Sequence, residues 1–282
     1  MSNINVINFR GEEEPFSEKK VYESARRVGA SEQTAEEITE TIKEEVYDGI
    51  ETSEIYNRIK ELLNEKSNKL GMKFSLKKGM RKLGPTGFPF EKFVGEIFHR
   101  LGYNVELNLY LEGKCLDEYE TDFIAEKDNI INIGECKFRI RPEESVIELD
   151  TVQAFQAQMQ DLRNGTLFNE ERFKNKEIRT LLVTNSKFSN VATEYADCVG
   201  IDLLGWRTPE DKGLETIIDN NGFYPITILP SLDRETSRVF IQRKMTLVQN
   251  LLELDKKEFI KQNNIEKEQL EKLIREVKVL LD

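Results

Sequence analysis

Glu120-Thr121-Asp122-Phe123-Ile124-Ala125 is followed, after Glu126-Lys127-Asp128-Asn129, by Ile130-Ile131-Asn132-Ile133-Gly134-Glu135-Cys136-Lys137. Both runs are rich in β-branched and aromatic residues, and the polar stretch between them suits a turn, so they predict a hairpin. Side chains alternate faces along a strand, which puts Glu135 and Lys137 together and turns Cys136 away. Asp122 can sit opposite them on the neighbouring strand. Two carboxylates at about 4 Å repel by roughly 1 to 4 kcal/mol, depending on the effective dielectric. A cation between them relieves that repulsion, and oxygen ligands favour a hard ion such as Mg²⁺ or Mn²⁺. A nearby lysine completes a group suited to metal-assisted cleavage of a phosphodiester. The same three residues would also serve as a cross-strand ion pair at a sheet edge, worth about 0–1 kcal/mol.

Upstream, Phe90–Leu101 carries an apolar stripe (Phe90, Phe93, Val94, Ile97, Phe98, Leu101) and meets Gly102, which predicts a helix with a glycine stop. Glu96 lies at the border of that stripe. Tyr103–Leu109 alternates with period two, as a strand does. Downstream, Leu149–Leu162 reads as a helix presenting Gln153, Gln156 and Gln160. Leu181–Thr184 then reads as a strand leading into the helix that contains Val191-Ala192.

The chain has 282 residues, which favours about two domains over a single core. No run approaches the roughly 18 to 20 apolar residues needed to span a bilayer, so no membrane partner is expected. The first residues lack both a basic and an apolar leader region, and a cytoplasmic location is expected. Three widely spaced cysteines (Cys115, Cys136, Cys198) suit neither a disulfide framework nor a zinc site. The lone histidine, His99, removes most histidine-based metal sites and is expected on a helix surface. Net charge is −11, but it is unevenly spread. Residues 1–65 hold 8 Lys/Arg against 16 Asp/Glu, whereas residues 66–100 hold 9 against 2. An acidic module therefore abuts a basic one, which points to separate roles; a solvated helix face would give the same lysine run.

In the acidic module, Ile4–Arg10 alternates as a strand does and Gly11 turns. Ser17 and Ser31 are placed as N-caps of two helices, and Thr52 or Ser53 as the start of a third. Three blocks here resemble the ATP-cone, a regulatory nucleotide-binding module: Val6 through Gly11, Glu14-Pro15-Phe16-Ser17-Glu18-Lys19-Lys20, and Asp48-Gly49-Ile50-Glu51-Thr52-Ser53-Glu54-Ile55. The resemblance implies an adenine-nucleotide site at Val6, Glu14, Lys20 and Thr52. Glu14 would lie on the adenine or ribose side, Lys20 on phosphate and Thr52 in the base pocket, with ATP or dATP as an allosteric effector.

Phe74–Leu83 has helical spacing, and Gly84-Pro85-Thr86-Gly87-Phe88-Pro89 breaks the chain. From there, Gly102-Tyr103, Thr121 to Ala125, Gly134 to Lys137, Leu181 to Ala192 and Gly200 to Leu204 resemble the PD-(D/E)xK nuclease core in its Mrr-type restriction endonuclease branch, over about residues 84–206. The resemblance implies that Asp122 and Glu135 bind Mg²⁺ or Mn²⁺ with a backbone carbonyl, that of Cys136 or of Ile133-Gly134. It makes Lys137 the catalytic lysine, Glu96 an outer acid and Gln153 a further polar site residue, with DNA as partner.

The remaining sequence reads as helices at Ser237–Leu252, Asp255–Gln262 and Glu266–Leu281, with Asp255 and Glu258 as a capping box. The tail faintly resembles helix-hairpin-helix DNA-binding tails, but its balanced charges point to packing. Homo-oligomerisation stays open. The expected fold class is α/β (α+β overall): a small, mostly helical ATP-cone at 1–70, a basic connector at 71–89, an endonuclease-like mixed sheet flanked by helices at 90–208, and a helical C-terminal region at 209–282. The expected function is a nucleotide-regulated, metal-dependent DNA endonuclease. The alternative is a non-catalytic, ATP-sensing DNA-binding regulator.

Overall fold

The structure is a computed structural model describing residues 4–84, 86–263 and 265–282. Pro85 of the breaker cluster and Asn264 of the tail lie outside the described residues. Strands β1 (Asn5–Ile7) and β2 (Glu13–Pro15) pair antiparallel, with Val6 opposite Glu14. Gly11 makes the turn at φ 78°, a backbone region that glycine enters without a Cβ penalty. Helix α1 (Glu18–Arg27) starts where the Ser17 hydroxyl accepts the Lys20 amide at 3.2 Å, and α2 (Glu32–Glu45) where Ser31 accepts the Thr34 amide at 3.1 Å. Both caps are where the sequence places them. Strand β3 (Ile50–Glu51) joins β1 in parallel, giving the order β2-β1-β3.

Helix α3 (Thr52–Lys66) begins at Thr52, with Glu51 in the cap position and no side-chain cap bond. The helix expected over 74–83 is the shorter α5 (Leu76–Arg81), preceded by a separate α4 (Asn68–Phe74). Val6, Val21, Ala25, Ala35, Ile38, Ile42, Ile50, Ile55, Ile59 and Leu63 form one buried cluster beneath this sheet. Strand β2 escapes a pattern search because Glu-Glu-Pro is a poor strand sequence; at the sheet edge Pro15 deprives no ladder partner of a donor.

The central part comprises α6 (Phe88–Arg100), β4 (Asn104–Leu111), β5 (Tyr119–Lys127), β6 (Ile130–Lys137), β7 (Val146–Ile147), α7 (Leu149–Asn164), β8 (Glu177–Thr184), β9 (Lys187–Phe188), α8 (Asn190–Val199), β10 (Asp202–Leu204) and α9 (Leu214–Asn221). Its five-stranded sheet has the order β10-β8-β6-β5-β4. Strands β4, β5 and β6 run antiparallel, while β6, β8 and β10 are parallel. Ile124, Ile131, Ile133 and Leu182 face Val152, Phe155 and Met159 of α7 and Ala192 and Ala196 of α8. Phe123 points the other way, its ring 5.3 Å from that of Phe98 on α6. A Cβ at Gly95 would lie 2.8 Å from Leu107, so glycine lets α6 approach β4 closely. The mixed sheet flanked by helices is the architecture expected from the sequence.

The tail departs from expectation. Instead of one helix over Ser237–Leu252 there are α10 (Arg234–Gln242) and α11 (Gln249–Leu252). Lys244 has φ 60°, and the Met245 amide reaches back to the Phe240 carbonyl at 2.9 Å, which ends α10. The following residues extend: Ile226 donates to Thr246 and Val248 to Tyr224, at 2.8 and 3.0 Å. Helices α12 (Lys256–Asn263) and α13 (Lys267–Leu281) follow, and Asp255 accepts the Glu258 amide at 3.0 Å, one half of the expected capping box.

Two compact units result. One comprises residues 4–80, 227–234 and 251–282; the other comprises residues 81–226 and 235–250. In the first, α13 packs on α4, and the Thr227 hydroxyl donates to the Gly79 carbonyl at 2.7 Å. The segments expected at 71–89 and 209–282 are thus each divided between the units. No helix among the described residues is long and apolar enough to cross a membrane.

Candidate active site

Strands β5 and β6 pair with Phe123 opposite Gly134 and Ile124 opposite Ile133. Carried one step further, that register sets Asp122 against Glu135, and alternation brings Lys137 to the same face. A Cβ at Gly134 would fall on the Phe123 ring, so this position requires glycine. Asp122 is 8% exposed, and its Oδ2 accepts the Cys136 amide at 2.6 Å. Glu135 Oε1 forms an ion pair with Lys137 Nζ. The Lys137 carbonyl accepts the Thr184 hydroxyl at 2.6 Å, which fixes the end of β6. Beyond it, the Asn185 side chain accepts the Arg139 amide and donates to the Arg139 carbonyl, both at 2.8 Å.

Burial, and then the charge of Glu135, push the Asp122 carboxyl up to about 6; the Cys136 amide and Lys137 oppose this. Glu135 is raised by burial, with Lys137 pulling it down and Glu91 and Glu120 pushing it up. Glu91 is raised by burial and then by Asp122. The Cys136 thiol, buried on the opposite face of the strand, is driven well above its ordinary range by burial first and then by the charges of Asp122, Glu91 and Glu135, and is a packing group rather than a nucleophile. The charge of Glu120 thus adds to those of Glu91, Asp122 and Glu135 in one acidic neighbourhood that also holds the Lys137 ammonium. The residues fit a hard divalent cation by donor chemistry: the buried carboxylate of Asp122 and the half-buried one of Glu135 on facing strand positions, with excess negative charge around them. Among the described residues, no three Asp, Glu, His or Cys side chains are grouped to hold an ion. Mg²⁺ needs no such group, since it takes one or two carboxylates and keeps several waters.

Asp122, Glu135 and Lys137 are therefore brought together as expected, and Cys136 faces inward. Glu96 is turned elsewhere. Its Oε1 accepts from Arg100 Nε at 2.8 Å and from Asn250 at 3.5 Å, and it borders a separate cleft with the exposed His99. The acid that α6 does present is Glu91, which accepts from Asn108 Nδ2 at 3.2 Å. Asn108 has φ 55° and interrupts the β4–β5 ladder at the position facing Asp122, between Leu107–Phe123 and Leu109–Thr121. Asparagine is among the few residues that accept this conformation readily. Glu91, Asn108 and Glu120 escape the sequence reading; an asparagine amid a β pattern is the signal that could have found the middle one.

Helix α7 does supply side chains beside β5, but Gln153 itself is exposed. Gln156 has a buried Oε1 without a hydrogen-bond partner, and Gln158 donates to the Glu120 carbonyl at 3.1 Å. In the N-terminal unit, Val6 is buried at the centre of the small sheet and pairs with both Glu14 and Ile50. Lys20 Nζ lies 3.1 Å from Glu14 Oε1, and Thr52 opens α3 directly after β3. A cleft of about 210 Å³ in this unit is lined instead by residues of α2, β3 and α3, among them Glu45, Glu54 and Arg58. There Arg58 is clamped by Glu45 at 2.7 and 2.8 Å.

A mixed sheet with an aspartate on one strand and Glu-x-Lys on its antiparallel neighbour defines a restriction-endonuclease-like domain. Residues 84–206 match the Mrr-type catalytic family model described as restriction endonuclease, and residues 224–281 match AF1548-like, C-terminal. An uncharacterized protein of Archaeoglobus fulgidus is 33% identical over 138 residues, covering 48% of this chain and 69% of the relative. The crystal structure of a protein of unknown function, AF1548, superposes with a TM-score of 0.56 at 26% identity, covering 68% of this chain and 97% of that one. The chain belongs to the AF1548-like family, with a restriction endonuclease domain ahead of the AF1548-like C-terminal segment.

Proposed function

We propose that this protein is a metal-dependent endodeoxyribonuclease whose activity is set by an adenine nucleotide. The observation that carries the reading is the buried Asp122 facing the half-buried Glu135 with Lys137 beside it, inside the segment that matches the restriction endonuclease model. Asp122 and Glu135, with the Cys136 backbone carbonyl, would hold Mg²⁺ or Mn²⁺. The bound ion supplies charge stabilisation on the phosphate and a water of lowered pKa. Lys137 would place its ammonium beside the reacting phosphate, while Glu135, its present partner, would serve as a ligand to the ion. Glu91 keeps the surroundings negative enough to retain a cation, and Gln153 or Gln156 orients water or phosphate from α7. Glu96 stays in this proposal only as a residue of the neighbouring cleft.

The nucleotide site belongs to the same proposal. Val6, Glu14, Lys20 and Thr52 form it in the ATP-cone manner, and Lys20 exchanges Glu14 for phosphate. ATP or dATP is then the effector, DNA the substrate, and the cytoplasm the place of action.

The test is nicking of supercoiled plasmid with Mg²⁺ or Mn²⁺, with and without ATP or dATP, run beside Lys137→Ala. Wild type is expected to nick, the variant to be inert, and nucleotide to change the wild-type rate. Wild-type protein inert on supercoiled, linear and single-stranded DNA with both ions overturns the nuclease. Cleavage indifferent to nucleotide overturns the regulation alone.

A further inference from the structure

A cleft of about 400 Å³ lies along α6, bordered by Lys92, Gly95, Glu96, His99, Val105, Leu107 and Lys244. Its charge is organised. The carboxylate of Glu96 is committed to Arg100, with Asn250 behind it, which leaves Lys92, Lys244 and His99 facing the opening. Lys92 Nζ donates to Asn108 Oδ1 at 2.9 Å and stands 4.7 Å from the centre of the Phe88 ring, but among the described residues it has no acid in ion-pair contact. Its pKa is lowered, first by burial and then by the charge of Lys244, with Glu91 acting in the opposite sense. Two lysines that repel each other across an open cleft are short of an anion.

Lys244 is also strained. It occupies the left-handed region at φ 60°, at the end of α10, where glycine or asparagine is the ordinary occupant. A lysine kept there spends backbone energy to aim an ammonium, and such outliers gather at functional sites. The residue lies in the AF1548-like segment yet in the same compact unit as α6. Asn108 connects the two places: it accepts from Lys92 through its oxygen and donates to Glu91 of the acidic cluster through its nitrogen.

We infer that this cleft is a phosphate subsite for the DNA backbone, in which Lys244 of the AF1548-like segment joins Lys92 and His99 to hold a phosphate flanking the one that is cut. The inference rests on the nuclease reading for its ligand. It assigns the C-terminal segment a part in DNA binding that packing alone would not give it.

Binding of a labelled DNA duplex is measured across a salt series in Ca²⁺, with cleavage in Mg²⁺ scored separately. Glycine relaxes the backbone at position 244, so Lys244→Gly should melt no lower than wild type while binding DNA about tenfold more weakly, as for loss of one charge-assisted hydrogen bond. The slope of log affinity against log salt should become shallower by about 0.9, one phosphate contact. Lys267→Ala, which removes the same charge outside the cleft, should change neither. Equal binding by wild type and Lys244→Gly, an equal loss in Lys267→Ala, or no binding by wild type overturns the inference. Absence of cleavage with Lys244-dependent binding intact overturns the nuclease reading and leaves the subsite standing.

Discussion

Asp122→Asn should make the metal-free protein more stable at neutral pH, although it removes a proposed ligand. Asp122 is buried, faces Glu135 and carries a carboxyl raised from its ordinary 3.8 to about 6. A raised carboxyl means that the folded state binds a proton more tightly than the unfolded state does. Stability from this group is therefore present below about pH 4, declines as pH rises toward 6, and is gone above that. At about 1.36 kcal/mol per pH unit, the interval corresponds to an upper bound of ~3 kcal/mol. Asparagine is close in size and keeps the oxygen that accepts the Cys136 amide, so the substitution removes the charge and little else. Its added amide hydrogens face the Glu135 carboxylate. In EDTA at pH 7.5, Asp122→Asn should melt higher by up to about 6–12 °C, taking about 2–4 °C per kcal/mol for a protein of this size. The gap should close as pH falls toward 4. Excess Mg²⁺ or Mn²⁺ should reverse the order, because the wild type alone gains from binding. Equal melting of the two proteins in EDTA at pH 5 and at pH 7.5 would refute the claim that uncompensated charge is stored at this site.

Further outcomes follow from particular contacts. Lys137→Ala should abolish cleavage and also lower the metal-free melting temperature, because it leaves Glu135 half-buried among acids without its cation; a variant that cuts at the wild-type rate argues against the assigned role. Gly134→Ala should cost about 1–3 kcal/mol or more in chemical denaturation, since the new methyl meets the Phe123 ring in a close-packed core; a loss under 0.5 kcal/mol would contradict the packing. Lys20→Ala should reduce the rise in melting temperature that ATP confers on the wild type, and an undiminished shift would remove Lys20 from the nucleotide site.

The β5–β6 hairpin is legible in the sequence because its information is local. Alternating β-branched residues set the faces, Asp128-Asn129 allows the reversal, and the short turn leaves one register that puts Asp122 across from Glu135. Ser17 and Ser31 were legible for the same reason, since a cap is read three residues away. What depended on distant partners was not. Glu96 and Glu91 both border the apolar stripe of α6, and the helix pattern cannot say which one meets β5; Asn108, on another strand, holds Glu91. The break between α10 and α11 rests on a lysine in a conformation that lysine disfavours, held by a long-range pairing of residues 224–226 with 246–248. No helix-propensity argument finds that. The division of the tail between two compact units is likewise written in packing rather than in punctuation.

In the proposed function, Asp122, Glu135 and Lys137 cut DNA with the help of a divalent ion. The most direct test is single-turnover cleavage of an end-labelled duplex in Mg²⁺ by the wild type and by Asp122→Asn, a variant expected to fold at least as well. The account predicts wild-type cleavage that EDTA abolishes, and a rate at least about a thousandfold lower in the variant, as expected when several kcal/mol of metal assistance are lost. Cleavage by both proteins at the same rate, or wild-type cleavage that persists in EDTA, would contradict it.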